Sequence, residues 1–393
     1  PPSPHPPSCS GLNSPPCLSQ IFRAFEPIHL GQGIHTFSGN AIAADPTPLF
    51  VTKIAGGRAW IAPQKNYWQI CNAIAILTPD GHLLADVSRE YPGRLPGCQN
   101  SHTHHRVFDL NEFPSLEQIQ GKVAVLSGLS GHVYFHWMVD ILPRLQLLRW
   151  SGIWDEIDYF LVNSCQQPFQ KETLTRLGIP AEKVLESDRH PYIQAEWLMV
   201  PSFAGHLGWL QGWAVKFLRN AFLPPNSATI AGANPSQNFS QNHLEYPERL
   251  YVSRSQARYR NVLNETEVIH LLEQYGFVVI TLESLTFDQQ IALFAAAKVI
   301  VAPHGSGLTN LVFCSPGTQV VELVSPHYIR HYYWVISQHL QLEHYYLPGE
   351  GFSCQPLREL MYQNPLTEDI LVKLEALQSW LKRMGLNPIL NLI

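Results

Sequence analysis

The sequence contains few charged residues. Asp, Glu, Lys and Arg make up 15% of its 393 positions, well below the ~25% of an average soluble domain. The 26 Lys and Arg residues against 31 Asp and Glu residues leave a formal net charge of −5, and the basic residues form no long run. Nucleic-acid binders share a basic surface that contacts phosphates, so we expect no nucleic-acid partner.

Long hydrophobic runs and paired cysteines are also missing. No stretch approaches the ~18 consecutive apolar residues of a membrane-spanning helix, so we expect no membrane span. The seven cysteines are scattered without a Cys-x-x-Cys pair, which argues against a disulfide framework or zinc ribbon. The 18 histidines show no standard zinc spacing, so no metal or other cofactor is expected.

The cysteines also bear on location. Unpaired thiols fit a reducing compartment, so a cytoplasmic protein is expected. Two glycosylation sequons, at Asn238 and Asn264, keep the lumen of the secretory pathway as the alternative. Asn264 has a structural explanation as well, because Glu267 three residues later completes a capping-box pattern for a helix.

Hydrophobic residues make up 45% of the sequence, and their spacing changes along the chain. Residues 1–20 are rich in Pro and Ser and predict a disordered tail. From about 40 to 130, short apolar runs alternate with turns, as in a predicted hairpin over Ala73–Val87 with Asp80-Gly81 at its turn. Further on, strands alternate with helices, a pattern typical of a parallel sheet with helices on both faces.

This alternation predicts two α/β halves. The first half is predicted to contain strands 122–126, 159–162 and 195–200 and helices 133–150, 169–177 and 209–223. The second is predicted to contain strands 250–252, 277–282, 299–302 and 319–323, helices 265–275 and 287–297, and a short helix near 308–314. A last helix is expected after Thr367, its predicted cap, and to end at Gly385.

Composition places the domain boundaries. Residues 224–247 are rich in Asn, Ser, Gln and Gly and nearly lack large apolar side chains, so they predict a linker. It separates an N-terminal α/β domain with a β-rich entrance region, 21–223, from a Rossmann-like domain, 248–350. A C-terminal helical segment, 351–393, completes the chain. The predicted fold class is α/β, with two Rossmann-like domains that face a cleft.

The most informative segment is the strand, turn and helix between Lys298 and Leu323. An apolar strand ends at Pro303, His304-Gly-Ser-Gly307 form a turn with little side-chain bulk, and a helix begins. Unpaired N–H groups beside glycines make an anion site suited to a diphosphate. Glu322, at the end of the next strand, is placed to hold a ribose diol. The alternative is a tight turn without a ligand.

A second segment places three arginines after a predicted strand. Arg254, Arg258 and Arg260 follow Leu250–Val252 in one loop. Three guanidiniums at the carboxyl end of a strand can neutralise a diphosphate leaving group without a metal. Arg254 is the strongest candidate of the three. For Arg258 and Arg260 the alternative is an ordinary solvated loop arginine.

A third segment contains a histidine and an aspartate with helical spacing. His136 and Asp140 share one helix face, so either can act as a general base at the same spot. His132 extends this stripe if the helix begins that early. Pro143 predicts a kink or restart that leaves Arg144 free to aim into the cleft. The alternative is a His–Asp pair that only pins the helix to the sheet.

Together these segments resemble the catalytic domain of glycosyltransferase family 61, in a bacterial-type member. The resemblance covers about residues 70–350 and rests on Tyr134–Arg144, on Leu250–Asn261 with Asn264-Glu265, and on His304–Asn310 with Pro316-Gly317 and Glu322. Ser306 stands where many members have Ala. The resemblance implies a GT-B-like fold, an inverting mechanism and a nucleotide-sugar donor, with a UDP-sugar as the expected one.

The resemblance also implies roles for individual residues. Asp140 or His136 is the implied base, with His132, Tyr134 and Arg144 as acceptor-side candidates. The implied donor-binding residues are Arg254, Arg258, His304, Gly305, Ser306, Gly307, Leu308, Thr309, Asn310 and Glu322. The sequence lacks the Asp-x-Asp motif with which GT-A enzymes clamp a metal, which agrees with stabilisation of the leaving group by Arg254 and the glycine turn.

The sequence therefore predicts an inverting, metal-independent glycosyltransferase. It would move a sugar from a nucleotide-sugar donor to a hydroxyl of a glycan or protein acceptor. Two alternatives remain open. A nucleotide-sugar epimerase or phosphorylase shares the two-Rossmann architecture, and a degenerate domain would bind nucleotides or glycans without catalysis.

Overall fold

The computed structural model describes residues 26–31, 33–38, 48–63, 73–90, 105–205, 208–224, 246–351, 353–362 and 364–389. The predicted tail at 1–20 and most of the predicted linker at 224–247 lie outside these residues. In the part of the chain that is described, no helix is long and apolar enough to cross a membrane.

The strands are short and mostly apolar. In chain order they are β1 (Glu26–His29), β2 (His35–Ser38), β3 (Val51–Ala55), β4 (Arg58–Ile61), β5 (Ala73–Leu77), β6 (Arg89–Glu90), β7 (Glu117–Val125), β8 (Tyr159–Val162), β9 (Val184–Glu186), β10 (Tyr192–Pro201), β11 (Arg249–Ser253), β12 (Val278–Thr281), β13 (Val299–Pro303), β14 (Gln319–Val324) and β15 (Glu343–Pro348). Every residue of β13 is buried, as expected for a parallel strand covered on both faces.

The helices are also short. They are α1 (Arg144–Trp150), α2 (Pro168–Arg176), α3 (Gly212–Phe222), α4 (Glu265–Gln274), α5 (Phe287–Ala296), α6 (Tyr332–Leu340), α7 (Gln355–Met361) and α8 (Leu374–Arg383). Helical turns of the 3-10 type occupy Ala85–Val87, Arg106–Asp109, Trp154–Glu156, Ala181–Lys183, Leu282–Ser284, Ser306–Phe313 and Pro365–Thr367. Thr286 and Gln289 form a capping box at the start of α5, which satisfies backbone N–H groups there.

The chain folds into two compact units. Unit 1 includes Ala43–Ala221, and unit 2 consists of Phe25–Ile42 and Phe222–Ile393. The sheet of unit 1 has the order β6-β5-β4-β10-β7-β8-β9, with β3 paired to β10. Strands β10, β7, β8 and β9 run parallel to one another, whereas β3 to β6 pair antiparallel. The antiparallel part corresponds to the predicted β-rich region.

The sheet of unit 2 has the order β1-β2-β15-β14-β13-β11-β12. Its last five strands are parallel, and β2 joins β15 antiparallel at one edge. Residues 25–42, which the sequence prediction assigned to the first domain, therefore lie in unit 2. Aromatic rings hold them there, because the ring centroid of Tyr346 lies 5.0 Å from that of His35 and 4.8 Å from that of Phe37.

The mixed α/β fold and the alternation of strands with helices are confirmed. The predicted strand 159–162 matches β8, and the predicted helix 287–297 matches α5 within one residue. Two details were wrong. Thr367 ends a 3-10 turn, and the terminal helix begins only at Leu374. The second arm of the predicted hairpin is not a full strand, because only Leu83 bridges to β5 and a 3-10 turn follows.

A buried arginine ties the ends of two parallel strands in unit 1. Arg144 is 1% exposed, and burial lowers the pKa of its guanidinium to about 9. Its five N–H groups donate to the carbonyls of Val125, Leu126, Ser127, Pro201 and Ser202 at 2.8–3.3 Å. These carbonyls lie at the carboxyl ends of β7 and β10. The prediction that Arg144 is free to aim into a cleft is therefore wrong.

We expect Arg144→Met to destabilise unit 1 by about 3–5 kcal/mol, because each buried carbonyl that loses its donor costs ~1–3 kcal/mol before relaxation. Chemical denaturation measures the loss. Arg176→Met is the matched control, since Arg176 forms a partly exposed ion pair with Glu172 and such pairs contribute ~0–1 kcal/mol. Equal stability of Arg144→Met and the native chain would contradict the structural role.

Candidate active site

A π-helical turn positions the predicted base in unit 1. The chain leaves β7 through residues 126–133, forms a helical turn over Tyr134–His136 and continues as a π-helix over Trp137–Ile141. The Leu142 N–H donates to the carbonyl of Trp137, five residues earlier, at 3.0 Å. Pro143 has no N–H with which to continue the ladder, and α1 then restarts. Such turns occur often at functional sites.

His136 and Asp140 form a hydrogen-bonded pair on this turn. Nδ1 of His136 lies 2.6 Å from Oδ2 of Asp140, and Oδ1 of Asp140 accepts the Gly208 N–H at 2.9 Å. Both carboxylate oxygens are therefore occupied, and the Asp140 side chain is 8% exposed against 20% for His136. Among the described residues, Nε2 of His136 has no hydrogen-bonding partner. The histidine thus carries the open nitrogen of the pair.

His132 and Tyr134, two of the residues predicted on the acceptor side, are close to His136 in sequence, but neither belongs to the His136–Asp140 pair. His132 is buried in the loop before the helix, which begins at Tyr134. The predicted extension of the His136 stripe to His132 is therefore wrong. The Tyr134 ring packs edge-on against Phe169 of α2, with centroids 5.0 Å apart, and burial raises the pKa of its hydroxyl.

In unit 2, Arg254 and Gly305 are packed against each other. Arg254 follows β11, and its Nη2 donates to the Tyr259 carbonyl at 3.0 Å. A Cβ atom on Gly305 would lie 1.8 Å from Nη1 of Arg254, so only glycine leaves room for the guanidinium. The Gly305 backbone itself is extended, with φ −179°. Its lack of a side chain therefore serves the arginine and not a left-handed turn.

Arg260 is the second buried guanidinium of this region. Its backbone has a φ of +55°, a value that is uncommon outside glycine. Nε of Arg260 donates to the His304 carbonyl at 2.9 Å and Nη1 donates to the Leu366 carbonyl at 2.7 Å. The Tyr259 and Tyr328 rings lie 4.6 and 5.4 Å from its guanidinium carbon. Arg258, by contrast, is exposed on the same loop.

Carboxylates compensate these two guanidiniums only weakly, since Glu283 has the smallest of the effects on the pKa of Arg254. In the described part of the chain, neither Arg254 nor Arg260 forms an ion pair with a carboxylate, and Nε of Arg254 is buried without a partner. Burial, with Arg260 as a second cause, lowers the pKa of Arg254 to about 10. Uncompensated buried charge is costly. The pair can therefore bind an anion such as a diphosphate.

Glu322 lies in the interior of unit 2 and is not exposed at the surface. It is fully buried in the middle of β14, opposite Ala302 of β13. One carboxylate oxygen accepts a hydrogen bond from Nδ1 of His304, and the other lies 3.0 Å from Nε2 of His344. Burial raises the pKa of Glu322, but the two histidines outweigh that effect and hold its pKa at about 2. The structure thus gives Glu322 protein partners in place of the ribose diol that was predicted.

The remaining residues of the turn pack inside unit 2. A Cβ on Gly307 would lie 2.5 Å from Cδ1 of Leu282, so this glycine permits close packing of the 3-10 helix. Leu308, Thr309 and Asn310 are buried. Thr309 donates to the Ser306 carbonyl at 2.6 Å, and Nδ2 of Asn310 donates to Oε1 of Gln290 in α5 at 2.9 Å. They fix the turn at the position where Gly305 meets Arg254.

Sequence reasoning did not identify Tyr328 or the second histidine of this region. Tyr328 and Tyr333 lie 5.2 and 5.1 Å from the His304 ring, centroid to centroid, and His344 is the other partner of Glu322. None of the three belongs to a recognisable motif. His344 alone left a weak signal, as a histidine directly before the aromatic and apolar residues Tyr345–Leu347 of the same strand.

Comparisons with known proteins point to one family. The model of the family described as Glycosyltransferase 61 matches residues 134–321. A beta-1,2-xylosyltransferase from Oryza sativa subsp. japonica is 36% identical over 67 residues, which are 16% of this chain and 13% of that protein. An EGF domain-specific O-linked N-acetylglucosamine transferase from Drosophila melanogaster is 36% identical over 76 residues, 19% of this chain and 14% of that protein.

A longer match includes more of the chain. A protein O-linked-mannose beta-1,4-N-acetylglucosaminyltransferase 2 from Takifugu rubripes is 29% identical over 149 residues, or 36% of this chain and 24% of that protein. The chain thus spans less than a quarter of the length of each of these relatives.

We expect Gly305→Ala to displace the Arg254 guanidinium, because the new methyl group would occupy its place. Binding of inorganic pyrophosphate, measured by calorimetry, should weaken about tenfold, the loss of one charge-assisted contact of ~1.5 kcal/mol. Gly351→Ala is the matched control, since no atom lies within 4 Å of a Cβ built there. Unchanged pyrophosphate affinity of Gly305→Ala would show that Arg254 does not bind the anion.

Proposed function

Because residues 134–321 belong to the glycosyltransferase 61 family, we propose that the protein transfers a sugar from a nucleotide-sugar donor to a hydroxyl group of a glycan or protein acceptor. The names of the three relatives support sugar transfer. The donor that the family resemblance favours is a UDP-sugar. A GT-B-like arrangement is part of the same proposal, and the parallel strands at the centre of each unit's sheet support it.

The His136–Asp140 pair is the observation that carries the proposal. Asp140 accepts Nδ1–H of His136, so the neutral ring has its lone pair on Nε2. That nitrogen removes the proton from the acceptor hydroxyl while the hydroxyl oxygen attacks the anomeric carbon. We assign the base to His136 and an orienting role to Asp140, because both Asp140 oxygens are already hydrogen-bonded.

The leaving group requires positive charge. As the bond between the anomeric carbon and the diphosphate oxygen breaks, negative charge develops on the nucleoside diphosphate. Attack from the opposite side inverts the anomeric configuration. Arg254 and Arg260 offer two guanidiniums without carboxylate partners among the described residues, and such prearranged charge stabilises a developing anion. This supports a transfer that does not depend on a metal.

His136→Ala and Asp140→Asn should each lower kcat about 10²–10⁴-fold, the usual contribution of a general base, and leave donor affinity unchanged. Transfer from a radiolabelled UDP-sugar, with calorimetric donor binding beside it, gives both values. His190→Ala is the matched control, because His190 forms a similar pair with Glu117 in the same unit, 2.7 Å apart. Asp140→Asn that transfers at the native rate would remove Asp140 from this role.

The donor assignment has its own test in a thermal-shift screen with UDP, GDP and CMP. We expect stabilisation by UDP, which amounts to ~2.7 kcal/mol at 100 times its Kd. Arg254→Ala should abolish the shift. Arg383→Ala should retain it, because Arg383 is an exposed arginine of unit 2 that contacts Leu30. UDP binding without transfer to any acceptor or water would indicate a non-catalytic binding module, and sugar conversion without an acceptor would indicate an epimerase.

A further inference from the structure

A continuous chain of buried hydrogen bonds runs beneath the candidate donor site. It begins at His304, passes through Glu322 to His344 and ends at Ser337 of α6. Nδ1 of His344 lies 2.8 Å from the Ser337 hydroxyl, which in turn lies 2.9 Å from the Tyr333 carbonyl. Each of these four side chains is at most 4% exposed. The chain is therefore built into the unit rather than formed at its surface.

The protons of this chain can be assigned from its acceptors. Glu322 is a carboxylate and can only accept, so both histidines donate to it, His304 from Nδ1 and His344 from Nε2. The Ser337 hydroxyl has a single proton. If that proton goes to the Tyr333 carbonyl, His344 also donates from Nδ1 and is an imidazolium that balances Glu322. If it goes to His344, that ring is neutral. In both cases Nδ1 of His304 carries a proton.

Nε2 of His304 is the open end of the chain. The residue is 3% exposed, and within the described residues Nε2 has no hydrogen-bonding partner. Burial lowers the pKa of His304, against the smaller opposing effect of Glu322. A neutral ring whose Nδ1 is protonated has a lone pair on Nε2. An acceptor on a nearly buried ring that receives no hydrogen bond from the protein leaves a position that a ligand hydroxyl can fill.

We propose that Glu322 and His344 are positioning residues that hold His304 in one tautomer, so that its Nε2 accepts a hydrogen bond from a hydroxyl of the nucleotide sugar. This inference rests on the proposed function. It gives His304 a different partner from Arg254, because a lone pair repels phosphate oxygens. Recognition would then be divided, with the guanidiniums on the diphosphate and His304 on a hydroxyl group.

Several elements of unit 2 place charged or titratable groups around His304. They are Glu322 on β14, Arg254 and Arg260 after β11, and the rings of Tyr328 and Tyr333. His331, at the N-terminus of α6, interacts with Glu322, and burial lowers its pKa to about 4. Protonation of His304 would convert its Nε2 from a hydrogen-bond acceptor into a donor. Protonation of the other groups would leave Nε2 an acceptor.

The sign of a pH profile tests the proposal in the native protein. Calorimetric affinity for UDP-N-acetylglucosamine and UDP-xylose should hold from about pH 8 to about pH 6 and fall several-fold between about pH 6 and about pH 4, because burial moves the protonation of His304 to lower pH and a protonated Nε2 cannot accept. These probes carry no phosphate that titrates in this range. Affinity that rises on acidification would place a phosphate at Nε2 and overturn the proposal, as would affinity that does not change.

Paired substitutions of His344 separate positioning from structure. His344→Gln keeps a donor amide near the place of Nε2 and should retain affinity within about twofold. His344→Asn reaches only the place of Nδ1 and should bind about tenfold more weakly. A buried Glu322 that loses one of its two donors takes up a proton and presents it to Nδ1 of His304, which reverses the His304 tautomer. Glu343→Gln is the control on the same strand, as Glu343 is exposed and contacts Gln319. Equal affinities of the two His344 variants would overturn the proposal.

Glu322→Met removes the acceptor that fixes the His304 tautomer, and it identifies which hydroxyl is bound. A ribose hydroxyl predicts equal weakening for UDP and the UDP-sugars at fixed pH, whereas a sugar hydroxyl predicts weakening for the UDP-sugars only. No weakening in a folded variant would contradict the inference. Failure of the native protein to bind any nucleotide would instead contradict the proposed function, so the two failures are distinguishable.

Discussion

Buried positive charge is the constraint on which both units depend. Parallel strands end with carbonyls directed toward one sheet edge, and each unit places a guanidinium there. In unit 1 all five N–H groups of Arg144 are used by backbone carbonyls, so this arginine completes the structure. In unit 2, Arg254 keeps a buried Nε without a partner, so that arginine has a donor left for the proposed diphosphate. An arginine whose N–H groups are all hydrogen-bonded within the protein is therefore structural, whereas one with an unused buried N–H is a candidate for binding.

The carboxylates and histidines can also be compared by which of their hydrogen-bonding atoms have partners. Asp140 and Glu322 each have both oxygens occupied, by His136 and Gly208 in one case and by two histidines in the other. Each carboxylate orients a histidine whose Nε2 has no partner among the described residues. One ring is proposed to take a proton from an acceptor and the other to accept a hydrogen bond from the donor. The proposal thus assigns two similar pairs to different steps.

The sequence was sufficient to predict the α/β fold, most strands and helices, and the His136–Asp140 pairing, because these depend on local periodicity and spacing. It could not show that all N–H groups of Arg144 are hydrogen-bonded, since their partners lie at the ends of two strands, with Leu126 and Pro201 75 residues apart in the chain. The role of Gly305 was hidden for the same reason. A glycine that makes room for a distant side chain looks like any other turn glycine.

The position of β1 and β2 affects how the protein is made. Unit 2 is assembled from segments on both sides of unit 1, so its sheet cannot close until the ribosome has passed the whole of unit 1. Unit 1 is continuous within the described chain and can fold first, as domains do during synthesis. A fragment that begins at Phe222 would leave one edge of β15 without β2, and an unpaired sheet edge promotes aggregation. Expression of unit 2 alone therefore requires that the N-terminal strands be joined to it.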